Sequence, residues 1–447
     1  MTETTPGIPP NIIYQTYTDI QMLQPPNQST GDRYGCDIAL SGNKNILLIG
    51  SQDEDGSAPS HDGNGTYNDD SISSGAVYIY NLVNNQYVLS KYLKSPTPEV
   101  NIRFGWAVEI NELGNIIAVT GKGYDSDNGC IYIYEYINND WQFREIIEKP
   151  TDIDFEFGIR IKLNRLGNKL YISSLKYLQY FFNIWQSTRT FHEYEYINNS
   201  WTRTHTFIND GSDDKFGCNF DLNYNEDILV IGAENAFNNN KRGAVYVFNK
   251  INGTWGNYIA YLQGNTQGSN DYFGNDVKIS GDGNTILVIA YNNPSNTNYH
   301  KGAVFVFNLI NGSWTETNVI KLPITYDESN KIYGGLSINY YGNLITFSGH
   351  HLNNKGRIYI AYLDNSNWII SSYIESSIPL DNSYFGSAFF GTDVIQNNEK
   401  LIISEQARSN LTGAVYVFDG VTSTEPNIIA TGALLTIIPN FSLNNLI

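Results

Sequence analysis

Apolar and polar residues follow one another along this chain in short bursts, and the bursts recur in a fixed order. Phe273-Gly274 is followed by Asn275-Asp276-Val277-Lys278-Ile279, the turn Ser280-Gly281-Asp282-Gly283-Asn284, and the apolar run Ile286-Leu287-Val288-Ile289-Ala290. A polar stretch then leads to Gly302-Ala303-Val304-Phe305-Val306-Phe307 and to Asn311-Gly312-Ser313-Trp314. Short β-prone runs punctuated by Gly-Asn and Asn-Gly read as strands joined by tight turns. The unit therefore predicts four strands. Strand A follows the aromatic-Gly pair, B is the near-continuous apolar run, C begins at a glycine, and D follows the second turn.

The aromatic-Gly pair recurs as Tyr34-Gly35, Phe104-Gly105, Phe157-Gly158, Phe216-Gly217, Phe273-Gly274, Tyr333-Gly334 and Phe385-Gly386, with glycines 52 to 70 residues apart. Self-similarity at such a period marks a repeat architecture. Strand C begins at Gly75, Gly129, Gly243, Gly302, Gly356 and Gly413. Tyr87, Trp141, Trp255, Trp314 and Trp368 stand twelve residues after their glycines, and Trp201 holds that place in the third unit, where the glycine has become Arg189.

Strand C decides how the units assemble. In Ala244-Val245-Tyr246-Val247-Phe248 the valines face one way and the aromatics the other, so both faces require burial. A sandwich leaves one face of each sheet wet. Four-stranded antiparallel sheets covered on both sides and repeated around an axis describe an all-β, seven-bladed β-propeller. Tyr17 to Leu23 reads as a strand D without its own A to C, and no aromatic appears at the D position after Phe418. The N-terminal strand is therefore expected to complete the last blade and cover its open edge. This divides the chain into an extension (1–13), the propeller (14–423) and a C-terminal tail (424–447). The tail's run Gly432 to Ile438 is an alternative source of the outer strand, or docks on the ring's side or on a partner.

Phe273-Gly274, Ser280-Gly281-Asp282-Gly283-Asn284-Thr285 and Gly243-Ala244-Val245-Tyr246-Val247-Phe248 resemble the FG-GAP repeats of integrin α-subunits and many bacterial surface proteins, over roughly residues 30 to 420. That resemblance implies a propeller and a binding role. The family often holds calcium in the A–B loop, with carboxylates around a glycine. Turns such as Asn111-Glu112-Leu113-Gly114-Asn115 lack the length and the acids for such a cage. Together with the Asn-, Ile- and Tyr-rich composition, the repeats also look like proteins of large amoeba-infecting DNA viruses, which implies a virion component or a host-facing binder.

Formal charge is −18, so counterion release on DNA or RNA is closed to this chain and nucleic acid is not an expected partner. The three cysteines, Cys36, Cys130 and Cys218, have no metal-site spacing and fall in strands, where a thiol behaves as a small buried group. Met1 to Pro6 lack the basic and apolar regions of a signal peptide, and no apolar run is long enough for a membrane-spanning helix. A cytoplasmic or virion-associated location is the corresponding expectation.

The A–B and C–D turns are short and share one face; the B–C and D–A connections vary and share the other. Variable loops on a rigid scaffold are where recognition resides. The candidate binding residues are accordingly Asp53, Asp55 and Asp62 of the first B–C loop, Tyr124, Asp125 and Asp127 of the second, and Tyr180 and Trp185 of an aromatic segment in the third, which reads equally as an exposed patch or as a repacked blade that fills itself. Phe237, His300, His350 and Arg408 complete the set. Asp62-Gly63-Asn64-Gly65 followed by Asp69-Asp70 partly imitates a calcium loop, but a flexible acidic loop is the simpler account, and no cofactor is expected. His350-His351, placed in the sixth B–C connection, point to opposite sides of an extended chain, which suits chelation poorly. The regular tryptophans read as packing between blades ahead of sugar platforms.

No Gly-x-Ser-x-Gly elbow, phosphate loop or His-Glu-x-x-His is present. The sequence therefore reads as a non-catalytic module for a protein or glycan. A carbohydrate-binding lectin is the runner-up and a propeller lyase or hydrolase the third reading. Oligomeric state is open.

Overall fold

Strand B is buried on both faces, as its composition requires: Ile116–Gly121 and Thr285–Ala290 are buried at every position. The computed structural model describes residues 14–27, 29–56, 71–153, 155–181, 184–209, 215–235, 242–265, 271–291, 302–322, 331–351, 355–376, 385, 394–396, 400–406, 412–423 and 436–437. In several strand segments, among them 14–20, 175–181 and 184–189, it describes the backbone alone.

Seven antiparallel sheets follow one another along the chain. Blade 1 runs Tyr34–Leu40, Ile46–Ser51, Ala76–Val83 and Gln86–Leu93 as strands A to D. Blade 2 runs Phe104–Ile110, Ile116–Gly121, Cys130–Ile137 and Asp140–Glu148. Blade 3 comprises Phe155–Leu163, Lys169–Phe181, Ile184–Ile197 and Ser200–Phe207. Phe216–Leu222, Ile228–Ala233, Ala244–Ile251 and Thr254–Leu262 make blade 4. Blade 5 is built from Phe273–Ile279, Thr285–Ala290, Ala303–Ile310 and Ser313–Ile320. In blade 6 the order is Lys331–Ile338, Leu344–His351, Lys355–Asp364 and Asn367–Glu375. Blade 7 takes Val394–Gln396, Lys400–Ser404 and Val415–Ser423 as A to C, and its outer strand is Tyr14–Leu23 from the N-terminus. The ring is closed as the sequence predicts, with the closing strand starting three residues before Tyr17.

The C-terminal tail does not supply that strand. Thr436–Ile437 pairs instead with Ser372 and Tyr373, adding a fifth strand to the outer edge of blade 6. Among the described residues no helix is long and apolar enough to cross a membrane.

The core lies between blades. Leu48, Val77 and Ile79 of blade 1 pack with Val108, Ile117 and Tyr132 of blade 2, and like clusters join each blade to the next. The last joins Ile402, Val415 and Val417 of blade 7 to Tyr34, Leu47 and Tyr78 of blade 1. Each fully buried side chain of this size contributes roughly 1.5–3 kcal/mol. The D-position aromatics belong to these cores: Trp141, Trp201, Trp255 and Trp368 are 1–8% exposed and Trp314 is half-buried. Trp255 meets Phe207 of blade 3 edge-on at 5.4 Å.

The aromatic-Gly pair and the strand C glycine are two halves of one joint. The N–H of Phe104 donates to the Ser74 carbonyl, that of Phe157 to Asn128, and that of Phe273 to Arg242, each one residue before a strand C glycine of the preceding blade. Gly75, Gly243 and Gly413 form isolated parallel bridges to Phe104, Phe273 and Tyr34, so the joint is repeated from blade 7 to blade 1.

Two cysteines act in the same joint. Cys36 Sγ donates to the Gly105 carbonyl and Cys218 Sγ to the Gly274 carbonyl, each at 3.1 Å in the following blade. Thr120 and Ser173 hydroxyls do the same for Gly158 and Gly217. Burial pushes the Cys36 thiol far up, and burial raises Cys130 to about 12. Cys36→Ser is expected to keep the bond, whereas Cys36→Ala removes the donor and lowers stability by about 1–2 kcal/mol, read from the urea midpoint. Iodoacetamide at pH 8 is expected to label the cysteines only after unfolding.

Candidate binding surface

Strand A of each blade packs on strand A of the next, so these strands line the axis and their ends define the two openings of the ring. At the A–B turn end, the second turn residue is Gly42, Glu112, Arg165, Tyr224, Gly281 and Tyr340 in blades 1 to 6. Their side chains meet across the axis. Arg165 pairs with Glu112 and lies 3.7 Å over the Tyr224 ring. The Tyr224 hydroxyl reaches Glu112 Oε1 at 3.4 Å, and its ring meets Tyr340 edge-on at 5.5 Å. Glycine leaves the necessary room, since a Cβ on Gly42 would stand 2.4 Å from Glu112 Cγ and one on Gly281 2.3 Å from Tyr340 Cδ2. Residues of blades 2, 3, 4 and 6 thus bridge this end.

The opposite end is framed by the residue before the aromatic-Gly pair of blades 1 to 5. Arg33, Arg103, Glu156, Lys215 and Tyr272 all adopt left-handed backbone, with φ between 52° and 55°. Such conformations cost on the order of 1 kcal/mol each for residues with a Cβ, and they persist where the surroundings over-determine them. Here the joint does so, because the next N–H must reach back to the preceding blade. The result is a row of long side chains on the inner rim of the loop face. Their partners follow strand B: Arg33 and Arg103 on Asp53, Glu156 on Lys122 at 3.1 Å, and Lys215 on Glu234 at 2.6 Å. Tyr272 stacks on Tyr291 with ring centres 4.6 Å apart. Lys122 also sits 3.9 Å over Trp106.

Between the ends, carboxylates tie the inner strands together. Asp37 accepts the Val108 N–H at 2.8 Å, Asp221 the Ile279 N–H at 3.0 Å and Asp276 the Leu336 N–H at 3.1 Å, each from the next blade. These satisfy edge groups that strand A turns away from its own sheet. Burial alone would raise the Asp221 carboxyl, but Lys162, Lys278 and that N–H outweigh it and hold the group below the usual carboxylate range.

The structure places the sequence-predicted residues as follows. Asp53 lies between two arginines at the rim. Asp55 braces the root of its loop, accepting the Ser73 N–H on Oδ1 and the Ser71 N–H on its carbonyl, both at 2.7 Å. Beside it, Glu54 and Lys94 form a buried ion pair at 2.5 Å; burial pulls Lys94 below its usual range against the opposing effect of Glu54. Tyr124, Asp125 and Asp127 form a single tight turn, Tyr124–Asp127, with left-handed backbone at Asp125 to Asp127; the Tyr124 hydroxyl bonds Glu148 at 3.2 Å. Asp62, Phe237, His300 and Arg408 lie outside the described residues.

Two expectations are corrected. His350 and His351 are not in a B–C connection: strand B of blade 6 continues through both, pairing them with Gly356 and Lys355, because that hairpin turns within a few residues. Tyr180 and Trp185 do not sit in a loop either. Strands B and C of blade 3 keep pairing past Ser174 and Thr190 through Leu178 and Gln186 to Phe181 and Ile184. The β-prone residues that replace the usual polar loop extend the ladder outward.

Sequence reasoning missed Arg33, Arg103, Glu156, Lys215 and Tyr272. The signal was available: a long polar or aromatic residue stands before the aromatic-Gly pair in every unit except the sixth, where Ile332 takes the place.

Comparison with protein-family models and with curated protein sequences finds no match. Among solved structures, the chain is similar to hydrazine synthase of Kuenenia stuttgartiensis at TM-score 0.48 and 12% identity, covering 76% of this chain and 80% of that one. A candidate 6-phosphogluconolactonase of Bacteroides fragilis aligns at TM-score 0.46 and 13% identity, over 74% and 81% of the two chains. A protein from Lactobacillus plantarum aligns at 0.48 and 9%, over 76% and 84%. Likeness of this degree carries no argument about activity.

Proposed function

We propose that the protein is a non-catalytic binding propeller that holds a protein or glycan on its B–C/D–A loop face, over the end of the axis that the Glu112–Arg165–Tyr224–Tyr340 cluster does not bridge. The observation that carries this reading is the inner rim, where five strained, long side chains stand at equivalent positions of successive blades. The resemblance to FG-GAP repeats supports a binding role, and the compositional likeness to amoeba-virus proteins supports a virion or host-facing setting. The buried tryptophans take no part.

The test is a pull-down from host extract together with a glycan array, repeated with two sets of variants. Lys215→Ala/Tyr272→Ala alters the loop face, and Leu113→Ser/Leu166→Ser alters the exposed turn face. Loss of binding is expected with the first set alone. Loss confined to the second set would place the ligand on the wrong face for this reading.

A further inference from the structure

We infer that the rim between blades 1 and 2 is a site for an acidic glycan, which presents a carboxylate to Arg33 and Arg103; this rests on the loop-face reading above. The two arginines occupy the same repeat position in successive blades, both with left-handed backbone. Each turns its Nε toward a different oxygen of one aspartate, Arg33 to Asp53 Oδ2 at 3.2 Å and Arg103 to Asp53 Oδ1 at 3.4 Å. Asp53 is 15% exposed, whereas the arginines are 40% and 38% exposed. The carboxylate therefore lies against the inner edge of each guanidinium as an ion pair; among the described residues, Arg103 Nε and Asp53 Oδ1 have no hydrogen-bond partner. Among the described residues, the terminal nitrogens of both have no other partner. A guanidinium is a rigid fork of five donors, so a fork held by its Nε edge still offers N–H groups to a second acceptor. Two forks converging on one aspartate stand close enough to share an incoming carboxylate through charge-assisted hydrogen bonds.

Charge selects the ligand class. Within the Arg33–Asp53–Arg103 cluster itself, two guanidiniums against one carboxylate leave a single positive charge in excess, which matches a monoanion and is exceeded by a phosphomonoester at −1.5 to −2. The whole chain carries −18, so densely charged polyanions are repelled at long range. A polymer with isolated carboxylates on otherwise neutral sugars satisfies both conditions.

The experiment measures binding of hyaluronate oligosaccharides, neutral dextran and heparin to the full chain by titration calorimetry at two salt concentrations. Hyaluronate is expected to bind, more weakly at high salt, with dextran and heparin each at least ~10-fold weaker. Arg33→Gln/Arg103→Gln is expected to lose at least ~10-fold in hyaluronate affinity while its thermal midpoint stays near that of the parent. Equal binding of dextran, tighter binding of heparin, capture of an acidic peptide in place of the sugar, or an unchanged double variant would each overturn the assignment. If a neutral glycan or a protein is instead lost with Lys215→Ala/Tyr272→Ala and kept by the double arginine variant, the loop-face reading stands and this site does not.

Discussion

Removal of residues 1–23 is expected to abolish the cooperative unfolding transition and to leave a chain that associates. Tyr14–Leu23 is joined to Val415–Ser423 by nine residue pairs, from Tyr14 with Ser423 to Leu23 with Val415. At a net 0.5–1.5 kcal/mol per hydrogen bond, loss of this ladder costs on the order of 5 kcal/mol, comparable with the whole stability of many domains. The closing strand also ties blade 7 to blade 1. The Gln21 side chain donates to the Tyr87 carbonyl and accepts the Tyr87 N–H, both at 2.7 Å, and Leu23 is buried in the core the two blades share. Without the strand, Val415–Ser423 becomes an open edge, a template for pairing with other chains. Circular dichroism melts and size-exclusion chromatography read the result, and a synthetic peptide of residues 14–23 added in trans should restore the transition. A shortened, monomeric chain that melts cooperatively within a few degrees of the parent would show that the ring needs no such closure.

Gly243→Ala should destabilise the protein by about 3 kcal/mol or more, while Gly253→Ala should cost about 1 kcal/mol. The two glycines have nearly the same backbone, φ +86° and +79°. They differ in surroundings. A Cβ on Gly243 would stand 2.0 Å from the Phe273 carbonyl oxygen and 2.6 Å from its nitrogen, whereas one on Gly253 would meet nothing within 4 Å. The first substitution must push blade 5 away from blade 4 or break the Phe273 N–H bond to Arg242. The second adds only the local penalty of a left-handed residue. Paired urea titrations separate the two, and equal midpoints would remove the blade-to-blade joint as the reason for the glycine. Blade 3 is the natural exception. Arg189 stands where the glycine would be, and there the strand pair continues outward instead of turning.

The joint also explains how much of the fold was legible. Aromatic-Gly pairs, strand C glycines and D-position aromatics recur at fixed offsets because every blade must satisfy the same neighbour. The burial of Trp141, Trp255 and Trp368 followed from that regularity alone. The candidate site was less legible. Asp53 looked like a free loop acid because its two arginines lie at Arg33 and Arg103, one before it and one in the next repeat unit. Tyr180 and Trp185 looked like loop residues because they stand where most other units carry a polar B–C stretch. The cross-axis cluster was invisible for a related reason. Glu112 and Tyr224 are two blades apart, and nothing local in either turn announces the other.

The order of apolar and polar residues by itself determined the four-stranded unit, its seven copies, the need for neighbours on both faces and the strand that closes the ring. Those are demands that each segment makes on water and on its own backbone, so they can be read one segment at a time. Which side chains face each other across the axis depends on where curvature brings strand ends that are 50 or more residues apart. Only the closed ring decides that, because the distance between two such ends is a property of all seven blades together.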